Sequence, residues 1–183
     1  AMKLAALLHG FKIEGRGLAA LSNAGFEAVG MADSLDDKGG STLPELAPAT
    51  QARIGEVLGA AGLNSLVTIR NPLDITPMAS DEIYGKCLDA LLSDPGIDGI
   101  VVGVVPHTPA LKSLPTDLGD PASFHNLLPP IVRRHGKPVV AVVDGADRYD
   151  ALAAAIEEQG IACFRSADLA MVSFQDYLDY SSK

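Results

Sequence analysis

Tryptophan is absent from this 183-residue chain, cysteine occurs twice, and aromatic residues make up only 5%. Two cysteines, Cys87 and Cys163, are too few for a disulfide framework and suit a reducing cytosol, the compartment expected here. Positive charge is also scarce. Fourteen Lys and Arg face 23 Asp and Glu, a net charge of -9, which argues against an unassisted binder of nucleic acid or of anionic membrane. No apolar run approaches the roughly 18 residues of a membrane span. The opening AMKLAALLHG has no small-residue cleavage site behind it and is not read as a signal peptide. The glycine-rich phosphate loops GxGxxG and GxxxxGK[ST] are missing, so a self-sufficient nucleotide enzyme is not indicated. GxSxG is missing as well, which leaves a hydrolase triad without support. The four histidines and two cysteines show no metal-ligand spacing, so no metal is expected.

Hydrophobic residues at 48% and charged ones at 20% are ordinary for a globular core. Several apolar runs are solid rather than alternating, as in strands buried on both faces. These are GLAALSN (17–23), IDGIVVGVV (97–105), PVVAVVD (138–144) and IACF (161–164), with a short second strand expected at Leu43–Leu46. Helical periods fill the gaps. AGFEAVGMADSL follows the first strand, and Pro48 opens a helix with a face of Ile54, Val57, Leu58 and Ala61. Ser80 caps a third helix with the stripe Ile83, Tyr84, Cys87, Leu88, Leu91 and Leu92, stopped by Asp94-Pro95-Gly96. A fourth helix near 122–135 is expected to begin or kink at Pro129 and Pro130. Asp147 caps a fifth through Glu158, and Ser166 caps a last one to about Tyr180. Strands alternating with helices predict an α/β fold of the flavodoxin-like, three-layer kind. Its five-stranded parallel sheet would have the order 2-1-3-4-5. Residues 1–15 read as a tail or linker and 16–183 as the domain.

In such sheets ligands bind at the carboxyl ends of the strands, where strand order reverses. There Leu21-Ser22-Asn23-Ala24-Gly25-Phe26 runs straight into a helix. Short residues at this junction leave backbone N–H groups open, and the helix dipole favours an anion on them. Asn23, Ala24, Gly25 and Phe26 are the candidate phosphate-binding residues, with Ser22 lining the site. The alternative is that Ser22 or Asn23 merely caps the helix while Gly25 relieves crowding. Asn71-Pro72-Leu73-Asp74-Ile75-Thr76-Pro77 supplies three further candidates, Asn71, Asp74 and Thr76, or else forms a rigid turn between two helices. His107, after the third strand, is the one histidine on the expected ligand side. Cys87 and Cys163 read as core residues, and Arg133, Arg134, His135 and Lys137 as a solvated helix end. No residue is assigned a catalytic role. The chain's own chemistry is that of half a site.

The segments LAALSNAGFEAVGMADSL, LPELAPATQARIGEVL, NPLDITPMASDEIYGKCLDALLSDPGIDGIVV, GKPVVAVVD and GIACFRSADLA come in the order, and with the pattern, of one family. Over about residues 16–180 the chain resembles the NDP-forming acyl-CoA synthetases, relatives of the succinyl-CoA synthetases. The resemblance implies a reaction in which acid, CoA and NTP give acyl-CoA, NDP and phosphate through an acyl phosphate and a phosphohistidine. It implies the second flavodoxin-like domain of such an enzyme. The partners would be a histidine-bearing CoA-ligase domain, a CoA-binding Rossmann domain and an ATP-grasp domain. CoA, ATP or GTP and Mg would belong to the full enzyme and none to this domain alone. Asn23, Ala24 and Gly25 match the helix end that faces the phosphohistidine. Phe26 stands where relatives have a second small residue and would narrow the approach. That departure keeps a second possibility in view, a regulatory or interaction module that retains the fold without the phosphate site.

Overall fold

The computed structural model describes residues 11, 13, 15–35 and 40–181. Eleven regular elements alternate along it. They are β1 (Leu18–Ser22), α1 (Gly25–Asp33), α2 (Pro48–Ala60), β2 (Leu73–Asp74), α3 (Asp81–Leu92), β3 (Gly99–Val104), α4 (Phe124–His135), β4 (Val139–Val143), α5 (Asp150–Glu158), β5 (Ala162–Phe164) and α6 (Ala167–Ser181). All strand pairs are parallel and the order is β2-β1-β3-β4-β5, the flavodoxin-like arrangement predicted from the sequence. The sheet divides two cores. Ala19, Leu21, Ile100 and Val102 face Ile54, Leu58, Leu88, Leu91 and Leu128 from α2, α3 and α4. Leu18, Ala20, Val101, Val140 and Val142 face Met31 of α1 and Ala170, Met171 and Phe174 of α6. This two-sided burial is why the strands read as solid apolar runs. Among the described residues no helix is long and apolar enough to cross a membrane.

Three expectations are corrected. Leu43–Leu46 is not a strand; the residue before it, Thr42, forms an isolated bridge to Gly17. The second strand is Leu73–Asp74, in register with Leu21 and Ser22 of β1. Two residues are too few to pair the whole edge of β1. The side chain of Asn71 extends the pairing: Oδ1 accepts from the Ala20 amide at 3.1 Å, and Nδ2 donates to the Leu18 carbonyl at 2.8 Å and to the Pro44 carbonyl at 3.1 Å. A side-chain amide thus serves where a longer strand would supply peptide groups.

Of the two alternatives for α4, to begin or to kink at its prolines, the first does not hold. The helix runs from Phe124 with both Pro129 and Pro130 inside it. A proline at 129 cannot donate to the carbonyl four residues back, that of His125. Gln159 beyond the end of α5 fills the vacancy, its Nε2 donating to the His125 carbonyl at 3.1 Å. At the start of α5, Asp147–Tyr149 form a 3₁₀ turn and the helix proper begins at Asp150. Ser80 caps α3 as expected, accepting from the Ile83 amide. Cys87 is fully buried, and burial pushes its thiol up to about 12, as suits an inert core residue. Phe11 and Ile13, in the stretch read as a tail, pack half-buried against the cores.

Candidate functional site

The carboxyl ends of β1 and β3 form the point where strand order reverses, and the β1–α1 junction occupies it. Each of the four expected amides has a definite destination. That of Asn23 turns inward onto the Tyr84 hydroxyl, which itself donates to the Gly103 carbonyl at 2.7 Å. The Ala24 amide donates to Ser22 Oγ at 3.0 Å. Gly25 and Phe26 are exposed, and among the described residues neither amide has a hydrogen-bond acceptor. The open cradle is therefore two amides wide rather than four. Asn23 is fully buried and clamps the base of the junction to β3, with Nδ2 donating to the Val105 carbonyl at 3.0 Å and Oδ1 accepting from the Val105 amide at 2.9 Å. Phe26 does not plug the opening: its side chain points into solvent, 67% exposed.

Beside these amides lies a groove of about 560 Å³ between α1 and residues 66–74. Gly25, Val29, Leu66, Arg70, Asn71 and Asp74 line it. Two of the sequence candidates, Asn71 and Asp74, thus meet Gly25 here, although the Asn71 amide is engaged by β1 and Pro44. Asp74 stands close: a Cβ placed on Gly25 would lie 3.1 Å from its Oδ2. Its Oδ1 accepts from the Thr76 amide at 2.9 Å, and Thr76 adopts a positive φ of 66° with its Oγ1 accepting from Met78 N–H. Thr76 therefore shapes the turn that carries Asp74. Sequence reasoning missed Arg70, which is exposed, lines the groove, and has no ion-pair partner among the described residues. A lone arginine in a loop gives no periodic signal.

Behind the cradle is a second residue the sequence reading passed over. Glu27, in the first turn of α1, is 2% exposed. Ser22 Oγ donates to its Oε2 at 2.5 Å, while Oε1 is buried without a partner. Room for it comes from across the sheet, because a Cβ at Gly103 of β3 would collide with the Glu27 carboxyl and with Met31. Burial drives this carboxyl up to about 7; the hydrogen bond from Ser22 pulls the other way, and Asp144 adds to the rise.

His107 lies apart from the cradle, in a separate depression of about 350 Å³ with Tyr149, Arg148 and Asp117. Its ring meets Tyr149 edge-on at 5.0 Å between centroids, with Nδ1 3.4 Å from the phenol oxygen. His125 is buried, bonded to Ser123 and to the Leu118 carbonyl. His9 lies outside the described residues. In the basic cluster, Arg134 and His135 join Arg53 on Asp89, and Lys137 donates to the Asp94 carbonyl at 2.7 Å. Arg134 and His135 sit in the last turn of α4, where positive charge offsets the helix dipole.

No protein-family model matches the chain, and no curated protein does. Solved structures do. The chain is similar to the dinucleotide forming acetyl-coenzyme A synthetase 1 of Ca. Korarchaeum cryptofilum in its apo form, with TM-score 0.78 and 22% identity. It is similar to the same protein in complex with phosphate and ADP, with TM-score 0.78 and 21% identity. A third is PH0766 from Pyrococcus horikoshii OT3, with TM-score 0.80 and 22% identity. In each, 99% of this chain is matched, but it spans only 36% to 39% of the other chain. At such identities the likeness is one of fold.

Proposed function

We propose that this chain is the second flavodoxin-like domain of an NDP-forming acyl-CoA synthetase, and that it holds a phosphoryl group carried in by a histidine-bearing neighbour. The observation that carries this is the pair of exposed, unpartnered amides of Gly25 and Phe26 at the strand-order reversal. Their helix end attracts an anion by its dipole and offers two N–H donors. Arg70 across the groove adds a cation. Two amides and an arginine suit a single phosphoryl group, where a nucleotide's polyphosphate takes a longer run of amides and a lysine. CoA, the nucleotide and Mg would then be held by the Rossmann and ATP-grasp domains of the same enzyme. Stabilisation of this kind is electrostatic and needs no nucleophile in this chain. The exposed Phe26, Val29 and Leu66 would pack against the neighbour.

Sulfate titration by calorimetry tests the anion site. Asp74→Asn keeps an acceptor for the Thr76 amide and removes the charge beside Gly25, so sulfate is expected to bind roughly three- to tenfold more tightly. Arg70→Ala is expected to weaken binding by a similar factor. Affinities unchanged in both variants would place sulfate elsewhere and refute the site. The inward turn of the Asn23 and Ala24 amides favours a second reading, an interaction module without a phosphate site. It requires that no sulfate bind at all.

A further inference from the structure

The first turn of α1 joins two features, a pair of open amides and, one residue on, a carboxyl sunk beneath them. Glu27 is bonded on one oxygen only. The hydroxyl that bonds it, Ser22 Oγ, also accepts from the Ala24 amide, so Glu27 is linked through Ser22 to the backbone that presents Gly25 and Phe26. Around it, β3 offers the bare Gly103, and α6 contributes the apolar Ala170, Met171 and Phe174 to the same layer. Its charged or titratable neighbours are Asp144 after β4 and Tyr84 of α3, with Asp74 of β2 beside Gly25. No cation has a hydrogen bond or ion pair with Glu27 among the described residues.

We propose that Glu27 is a positioning residue whose protonation sets how strongly the Gly25 and Phe26 amides hold an anion. This rests on the reading of those amides as the anion site. As the neutral acid, Glu27 keeps Ser22 and Ala24 in place and leaves the positive end of the helix unopposed. As the carboxylate, it puts a full negative charge in the turn that must accept another, in surroundings too dry to screen it. Burial holds its titration near neutrality, where a modest change of pH alters the balance. Linkage makes the coupling reciprocal: an anion arriving at the amides favours the neutral acid, so binding takes up a proton from solvent.

Calorimetry with sulfate, an anion that does not itself titrate near neutrality, decides the matter. Between pH 6 and 8.5 the wild-type affinity is expected to fall on the order of tenfold. Near pH 7.5, binding is expected to take up a fraction of a proton, read from the dependence of the heat on the buffer's ionisation enthalpy. Glu27→Gln, checked for folding by circular dichroism, is expected to bind as tightly as the wild type does at pH 6. Its affinity should be flat with pH and its proton uptake nil. Wild-type binding that is flat with pH, or a Glu27→Gln profile that falls in parallel with the wild type, overturns the role of Glu27 while leaving the anion site intact. Absence of sulfate binding in both folded proteins overturns the anion site and this proposal with it.

Discussion

Asn71→Ala is expected to lower the unfolding free energy by about 3 to 5 kcal/mol, measured by urea denaturation. One side chain serves three backbone groups: the Ala20 amide and the carbonyls of Leu18 and Pro44. Leu18 and Ala20 are fully buried, so their orphaned groups would each cost about 1 to 3 kcal/mol with no partner to replace Asn71. Asn71→Asp separates this effect from simple loss of volume. It can still accept from Ala20 but sets a second oxygen against two carbonyls, and it is expected to destabilise at least as much at neutral pH. A loss below about 1 kcal/mol in both variants would mean that the β1 edge finds other partners. Because β1 carries the cradle at its end, a loosened edge would also reach the site.

Glu27→Gln is expected to be about as stable as the wild type near pH 4 and more stable by as much as about 3 kcal/mol at pH 8. In the unfolded chain this carboxyl titrates near its ordinary 4.5, whereas burial raises it to about 7 in the folded protein. The folded state thus binds the proton more tightly. The stability that follows is fully present below pH 4.5 and is lost as pH rises toward 7, after which the deficit is constant. Glutamine keeps an acceptor for Ser22 and has no such loss. Thermal or urea unfolding at several pH values gives the difference directly, since other titrating groups cancel between the two proteins. Parallel stability curves would show that Glu27 is ionised in the folded protein at ordinary carboxylate pH.

The strand order was legible because β1, β3 and β4 are buried on both faces, and such strands announce themselves as unbroken apolar runs. Helices α2 and α3 were legible from Pro48 and Ser80 at their starts. The short β2 was not: two residues have no period, and the edge is completed by a side chain whose partners lie 27 to 53 positions away. Likewise, the prolines of α4 look like a break until Gln159, far along the chain, is seen to serve the His125 carbonyl that Pro129 frees. At the candidate site, the small residues marked the junction correctly as the end of β1, but the direction of each amide depends on Tyr84 and Ser22. Glu27 passed for an ordinary acidic residue at a helix start. Only its packing against Gly103, across the sheet, makes it a buried acid.

The proposed role depends on where an anion sits, and that is most directly read by following backbone amide resonances of ¹⁵N-labelled protein during sulfate addition. Saturating, concentration-dependent shifts largest at Gly25 and Phe26, with Asn23 and Ala24 moving less, are the expected result. Shifts centred instead on the Arg133–Lys137 cluster, or none at Gly25 and Phe26 at saturating sulfate, would contradict it.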